Sequence, residues 1–210
     1  MISFAPPEPE LTVIPSSRTM TEEPNLWHFF SSNFRHPLTE TIDGGSIPEP
    51  YRGLLVHPES MTLVLEEAYQ EDLRLRVLYR ELSDETLQRQ VVLFRPSDGR
   101  PAAMGWIWIC LKSLSPKVGQ AVRKSEKPLG KILEELGVEY SNQPAAYLQA
   151  LGVSDGAVGE AFGLSTPLDL YGRLNRLLTP SGEIMAVVVE ILAPFEPGPD
   201  SGRDGSGSQS

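Results

Sequence analysis

Cysteine is almost missing from this sequence. Cys110 stands alone among 210 residues, so no internal disulfide framework holds the fold. It lies in the run Trp106-Ile107-Trp108-Ile109-Cys110-Leu111, where its plain role is a small core side chain in a reducing compartment. Histidine is scarce as well. His28, His36 and His57 precede the main strands without metal-ligand spacing, which argues against a metal site. Basic charge is in short supply: 18 Lys and Arg against 28 Asp and Glu give a formal net charge of −10. Nucleic acid is therefore not an expected partner, because phosphate binding needs a basic face. A polybasic membrane anchor is excluded on the same ground. No apolar run reaches the roughly 18 residues of a membrane span. The acidic, Pro-rich start lacks the basic and apolar stretches of a signal peptide, so the expected location is cytoplasmic. There is no G-x-S-x-G elbow and no P-loop, and Gly152, Gly156 and Gly159 do not form a dinucleotide fingerprint. Catalysis through a nucleophilic serine, a metal or a nicotinamide has no support, and no cofactor is expected.

What remains is ordinary globular material. Hydrophobic residues make up 40% and charged residues 22%, enough for one domain with a sizeable core. Residues 1–50 read as an N-terminal arm, Pro-rich at first, with a short docked helix over Asn25–Phe34 carried by Leu26, Trp27, Phe29, Phe30 and Phe34. Residues 51–195 form the domain proper, and 196–210, rich in Gly, Ser and Pro with no apolar side chain of the aliphatic or aromatic kind, read as a disordered tail.

Within the domain, Ser60 is placed to cap a helix running to about Tyr69, with Met61, Val64, Leu65 and Ala68 on one face. Asp72–Arg80 alternates apolar and basic residues as a half-buried strand. Leu87–Phe94 is a strand rich in β-branched and aromatic residues. Asp98-Gly99 then marks a hairpin turn into a return strand, Ala103–Leu111. Ser115-Pro116 opens a helix, and Pro128 restarts one through Leu136 with Gly137 as its stop. Residues 141–166 read as short helices punctuated by glycines. Leu174–Leu178 and Glu183–Ala193 form a second hairpin around Pro180-Ser181-Gly182. These elements predict an α+β fold: a single antiparallel β-sheet with flanking helices.

Two charges sit where the pattern calls for apolar residues. Arg89 shares a strand face with Val91 and Leu93, and a charge buried there costs several kcal/mol unless it is paired. Glu190 is the only charge in the run Met185–Leu192. Either they pair with each other in the core, or they face a ligand.

Taken with three short motifs, these two charges resemble the chorismate pyruvate-lyase (4-hydroxybenzoate synthase) family. The resemblance runs from Ser60-Met61-Thr62, through Arg89 ahead of a D-G turn, to Lys127-Pro128-Leu129-Gly130. Tyr171-Gly172-Arg173 follows, ahead of Asn175-Arg176, and Glu190 comes last, with Pro194 four residues on. It covers roughly residues 54–194. The resemblance implies a sheet of about six antiparallel strands with flanking helices and a ligand enclosed beneath flaps. It also implies that Met61, Arg89, Leu129 and Glu190 contact the aromatic product, and that Arg89 and Glu190 carry the chemistry. The implied reaction splits chorismate into 4-hydroxybenzoate and pyruvate without a cofactor, early in quinone biosynthesis. Arginine offers a planar fork to a carboxylate, while Glu190 would orient the ring hydroxyl or act as a base. One position departs from the pattern. Gly105 is followed by Trp106 where some members carry arginine, so this strand lacks that second anion contact.

The same fold resembles the effector-sensing domain of GntR-type regulators, which gives a second expectation, a non-catalytic module for small aromatic carboxylates. The winged DNA-binding domain of such regulators does not fit the short, acidic residues 1–50. As isolated residues, Met61 and Leu129 are core, and Arg173 and Arg176 read as exposed charges.

Overall fold

The computed structural model describes residues 27–124 and 127–195. The tail expected over 196–210 and the first 26 residues of the expected arm lie outside them. The described residues form seven strands: β1 (Thr39–Ile42), β2 (Arg74–Leu82), β3 (Thr86–Phe94), β4 (Pro101–Cys110), β5 (Ser141–Val153), β6 (Leu168–Leu178) and β7 (Ile184–Leu192). They make one sheet in the order β1-β5-β6-β7-β4-β3-β2, with every neighbouring pair antiparallel. Five α-helices accompany them: α1 (Tyr51–Leu55), α2 (Met61–Tyr69), α3 (Pro116–Lys124), α4 (Leu129–Glu135) and α5 (Gly156–Phe162). Among the described residues no helix is long and apolar enough to cross a membrane.

The α+β sheet is as expected, with one strand more. The extra strand, β1, belongs to the segment read as an arm and pairs with β5 from Thr39↔Ala150 to Ile42↔Tyr147. The larger difference is β5 itself. Ser141–Val153 contains Ala, Leu and Gln, good helix formers, and was expected to be helical. Pairing with β1 on one side and β6 on the other overrides that local preference. Its proline sits where a strand tolerates one, at the register shift between Pro144 and Ala146. Only Gly156–Phe162 of that region is helical. The Asn25–Phe34 segment, described from Trp27 onward, forms successive turns closed by Phe30 N–H to Trp27 O and Phe34 N–H to Ser31 O, rather than a helix.

The sheet is covered on both faces. Phe30, Phe34, Val158 and Phe162 pack on Val92, Met104, Trp106, Val187 and Val189 on one side. On the other, α3 and α4 cover one half through Val118, Val122, Ile132 and Leu133. There α1 and α2 cover the second half through Leu54, Leu55, Met61 and Leu65. The seam between these two helix pairs lies over the middle of the sheet, and that is where the candidate site is found.

Candidate functional site: a cavity under two helix N-termini

Helices α2 and α4 start side by side above the sheet. Ser60 and Pro128 precede them, and neither makes a side-chain cap hydrogen bond. The first-turn amides are therefore left for another acceptor, which suits an anion. Their approach is close at Gly130: a Cβ there would stand 2.8 Å from Ser60 Oγ, so a larger residue must push that hydroxyl aside. That is the physical role of the last residue in Lys127-Pro128-Leu129-Gly130.

Beneath them lies a cavity of about 60 Å³, several times the space a single water needs. Its floor is the sheet: Val91 from β3, Gly105 and Ile107 from β4, Val188 and Glu190 from β7, Asn175 and Leu177 from β6. Met61 and Leu129 form the roof, with Tyr140 and Asn142 at one side. A shallower outer groove shares Ser60, Gly130 and Tyr140 with the cavity and carries Glu59, Glu134 and Glu139. Burial pushes the Tyr140 phenol above its usual range and the charge of Glu134 adds to this, against a hydrogen bond with Asn142 that pulls it down.

Three of the four residues implied by the resemblance meet here: Met61, Leu129 and Glu190 all line the cavity. Arg89 does not line it. It lies on the same sheet face, next along β3 from Val91 and opposite Ile107 in the β3–β4 ladder. Its side chain is fully buried. Both terminal nitrogens donate only to Lys127 O, at 3.4 Å each, and Nε has no partner. No carboxylate among the described residues meets this guanidinium. Desolvation, with the Arg80 charge opposite it on β2 as a second cause, lowers its pKa to about 10. The Lys127 carbonyl that it meets is one residue from Pro128, which borders the cavity.

Glu190 is paired, but not with Arg89. Its partner is Arg173, directly across the β6–β7 ladder, whose Nε donates to Glu190 Oε2 at 3.0 Å. Arg173 is itself fully buried, which corrects its reading as an exposed charge. Its other nitrogens donate to His57 O at 2.9 Å, Leu55 O at 3.3 Å and Glu59 O at 3.0 Å. One guanidinium thus ties the cavity carboxylate to the loop that leads into α2. The preceding Gly172 is obligatory, because a Cβ there would come within 2.1 Å of Glu190 O. The alternation of Arg173, Asn175 and Leu177 along one strand was the signal for an inward arginine.

Trp106 faces away from the cavity. It is fully buried in the opposite layer, edge-on to Trp27 at 5.3 Å, with Nε1 donating to Arg35 O at 3.0 Å. Its neighbour Gly105, opposite Glu190 in the ladder, is the residue of this pair on the cavity floor.

No protein-family model matches the sequence, and no curated protein is significantly similar to it. Solved structures resemble it in part. One is the effector domain of PhnF from Mycobacterium smegmatis, 12% identical, covering 66% of this chain and 91% of that one at a TM-score of 0.49. A structure of PhnF itself matches at 13% identity and TM-score 0.47, with 66% of this chain against 65% of that one, so the match spans less than two thirds of that regulator. Another is the GntR-family transcriptional regulator from Enterococcus faecalis, 12% identical, covering 58% of this chain and 96% of that one at 0.41.

Proposed function

We propose that this protein is a chorismate pyruvate-lyase, releasing 4-hydroxybenzoate and pyruvate. The observation that carries the reading is a fully buried guanidinium with no carboxylate partner among the described residues, Arg89, on the sheet face where Val91 of the same strand lines the cavity with Glu190, Met61 and Leu129. A buried, unpaired cation is costly and persists where a ligand supplies the missing charge. The ring carboxylate would go to Arg89 and to the uncapped amides at Met61 and Leu129, and the ring hydroxyl to Glu190. With Oε2 of Glu190 already held by Arg173, this carboxylate orients the hydroxyl rather than taking a proton. The hydrogen on the hydroxyl-bearing ring carbon then passes to the methylene of the enolpyruvyl group as the ring C–O bond breaks. The departing oxygen becomes the keto oxygen of pyruvate, the methylene becomes its methyl group, and the ring becomes aromatic. The protein's contribution is positioning and exclusion of water.

A second reading, a non-catalytic module for an aromatic monocarboxylate, is favoured by one feature. The residues lining the cavity include no lysine, arginine or histidine, and the outer groove carries three glutamates. A second carboxylate finds no cation there. Incubation of the purified protein with chorismate separates the two. The lyase yields equal amounts of 4-hydroxybenzoate and pyruvate above the uncatalysed rate, whereas a binding module shows a thermal shift with 4-hydroxybenzoate and no pyruvate.

A further inference from the structure

Two acceptors share the floor of the cavity, and a ring hydroxyl has one proton to give. Glu190 on β7 is the first: Arg173 holds its Oε2, and the other carboxylate oxygen is left for a ligand. Asn175 on β6 is the second. It lines the cavity, is only 3% exposed and stands two residues beyond Arg173, the ladder partner of Glu190. The two are thus diagonal neighbours on one sheet face, within reach of a single ligand group. The Asn175 amide is oriented from behind. Its Nδ2 donates to Asn142 Oδ1 at 3.0 Å, and Asn142 in turn bonds Tyr140 at the cavity's edge. Its Oδ1 is buried and accepts no hydrogen bond among the described residues. A buried amide oxygen left unpaired is a net cost, and nearly all such groups in folded proteins find a partner. A hydroxyl given to Glu190 cannot relieve it. A primary amine on the ring has two N–H groups and can meet both acceptors at once.

We propose that the cavity also takes ring carboxylates that bear a primary amine in place of the hydroxyl, with one N–H donated to Glu190 and the other to Asn175. The proposal rests on the reading of the cavity as a ring-carboxylate site, and it extends that reading to a ligand class that the lyase reaction neither uses nor forms. An amine attached to an aromatic ring is neutral at neutral pH, so it brings no cation to be desolvated. Exchange of the hydroxyl for the amine adds one hydrogen, so the fit is nearly unchanged and the second hydrogen bond decides. Discrimination of this kind arises because the ligand with one donor strands a buried polar group. Such an amine would compete with the hydroxylated product for the cavity.

The test is calorimetric binding of 4-aminobenzoate, 4-hydroxybenzoate and benzoate to the wild type and to Asn175→Leu. Intrinsic differences between amine and hydroxyl are common to both proteins, so the readout is the ratio of the two affinities. That ratio, amine over hydroxyl, is expected to fall by about tenfold in the variant. The preference for 4-hydroxybenzoate over benzoate belongs to Glu190 and is expected to survive in it. A ratio unchanged by the substitution, or a wild type that binds 4-hydroxybenzoate but not 4-aminobenzoate, overturns the inference and leaves the proposed function standing. A wild type that binds none of the three overturns both. If Asn175→Leu does not fold, Asn175→Ala is judged in the same way, and failure of both to fold overturns the inference, because the amide is then a brace.

Discussion

Arg89 and Arg173 are the same residue in nearly the same setting, and they end in opposite states. Both project from strands onto the helix-covered face of the sheet, and both are completely buried. Arg173 has a carboxylate at 3.0 Å and three backbone carbonyls. Arg89 has one distant carbonyl and no carboxylate. A guanidinium that is fully satisfied holds structure together, because any change strands its partners. One that is buried without an anion strains the fold and is available to a ligand. On the proposed reading the difference gives the two arginines different jobs: Arg173 would build the site and Arg89 would take the charge of a ligand.

The largest effect is expected on the Arg173 side. Arg173→Met would leave Glu190 and three carbonyls without their donor, at a cost of about 3 to 5 kcal/mol. In a protein of this size that is a fall of roughly 10 °C or more in Tm, read by calorimetry. A fall of only a degree or two would remove the contrast between the two arginines.

Next comes Arg89→Met. Affinity for 4-hydroxybenzoate should drop by about 2 to 5 kcal/mol, measured by titration calorimetry. The ligand-free protein should be no less stable than the wild type and up to about 1 to 4 kcal/mol more stable, since an uncompensated charge has been replaced by an apolar side chain of similar length. Equal destabilisation by both methionine variants would show that Arg89 is structural after all.

The pH dependence sharpens the same point. Arg89 binds its proton less tightly when folded, with a pKa of about 10, below its value in the unfolded chain. Between those values the unfolded state carries more protons, so this group raises stability as pH rises through about 10. The advantage of Arg89→Met over the wild type should therefore be full below pH 10 and shrink above it. Urea midpoints at pH 8 and pH 11 measure this, and a gap that widens instead would contradict an unpaired guanidinium.

Glu190→Gln should lower kcat only modestly if the carboxylate orients the hydroxyl, but by roughly 10²-fold or more if it is a base. Steady-state pyruvate release decides between them. The smallest effect belongs to the exposed pair of Lys127 with Glu135, 2.6 Å apart and half exposed on both sides. Lys127→Ala keeps the backbone carbonyl that Arg89 uses and should change stability by about 0.5 kcal/mol or less, less still in high salt.

Much of this fold could be read locally. The Arg89 strand, its Asp98-Gly99 turn and the return strand follow from alternation and turn chemistry, and the structure places them over Thr86–Phe94 and Pro101–Cys110. Gly99 takes φ of 73° and Gly182 φ of 85°, each in the hairpin turn expected to need it. That Met61, Leu129 and Glu190 line one cavity was legible only from the motifs taken in order, since an apolar residue at a helix start carries no local mark of it. Arg173 was misread because a single charge beside Asn175-Arg176 looks like a solvated turn.

The amino-acid sequence by itself determined the class of this protein. A single cysteine leaves no internal disulfide, and the sequence's alternation and turns made an antiparallel sheet with helices. Only the tertiary structure decided that Ser141–Val153 is a strand, because strand pairing is supplied by residues far away in the chain. It alone decided which buried arginine took Glu190. Both faced the core, but only Arg173 stands opposite that carboxylate in the ladder, and register across a sheet is set by non-local pairing that no single segment encodes.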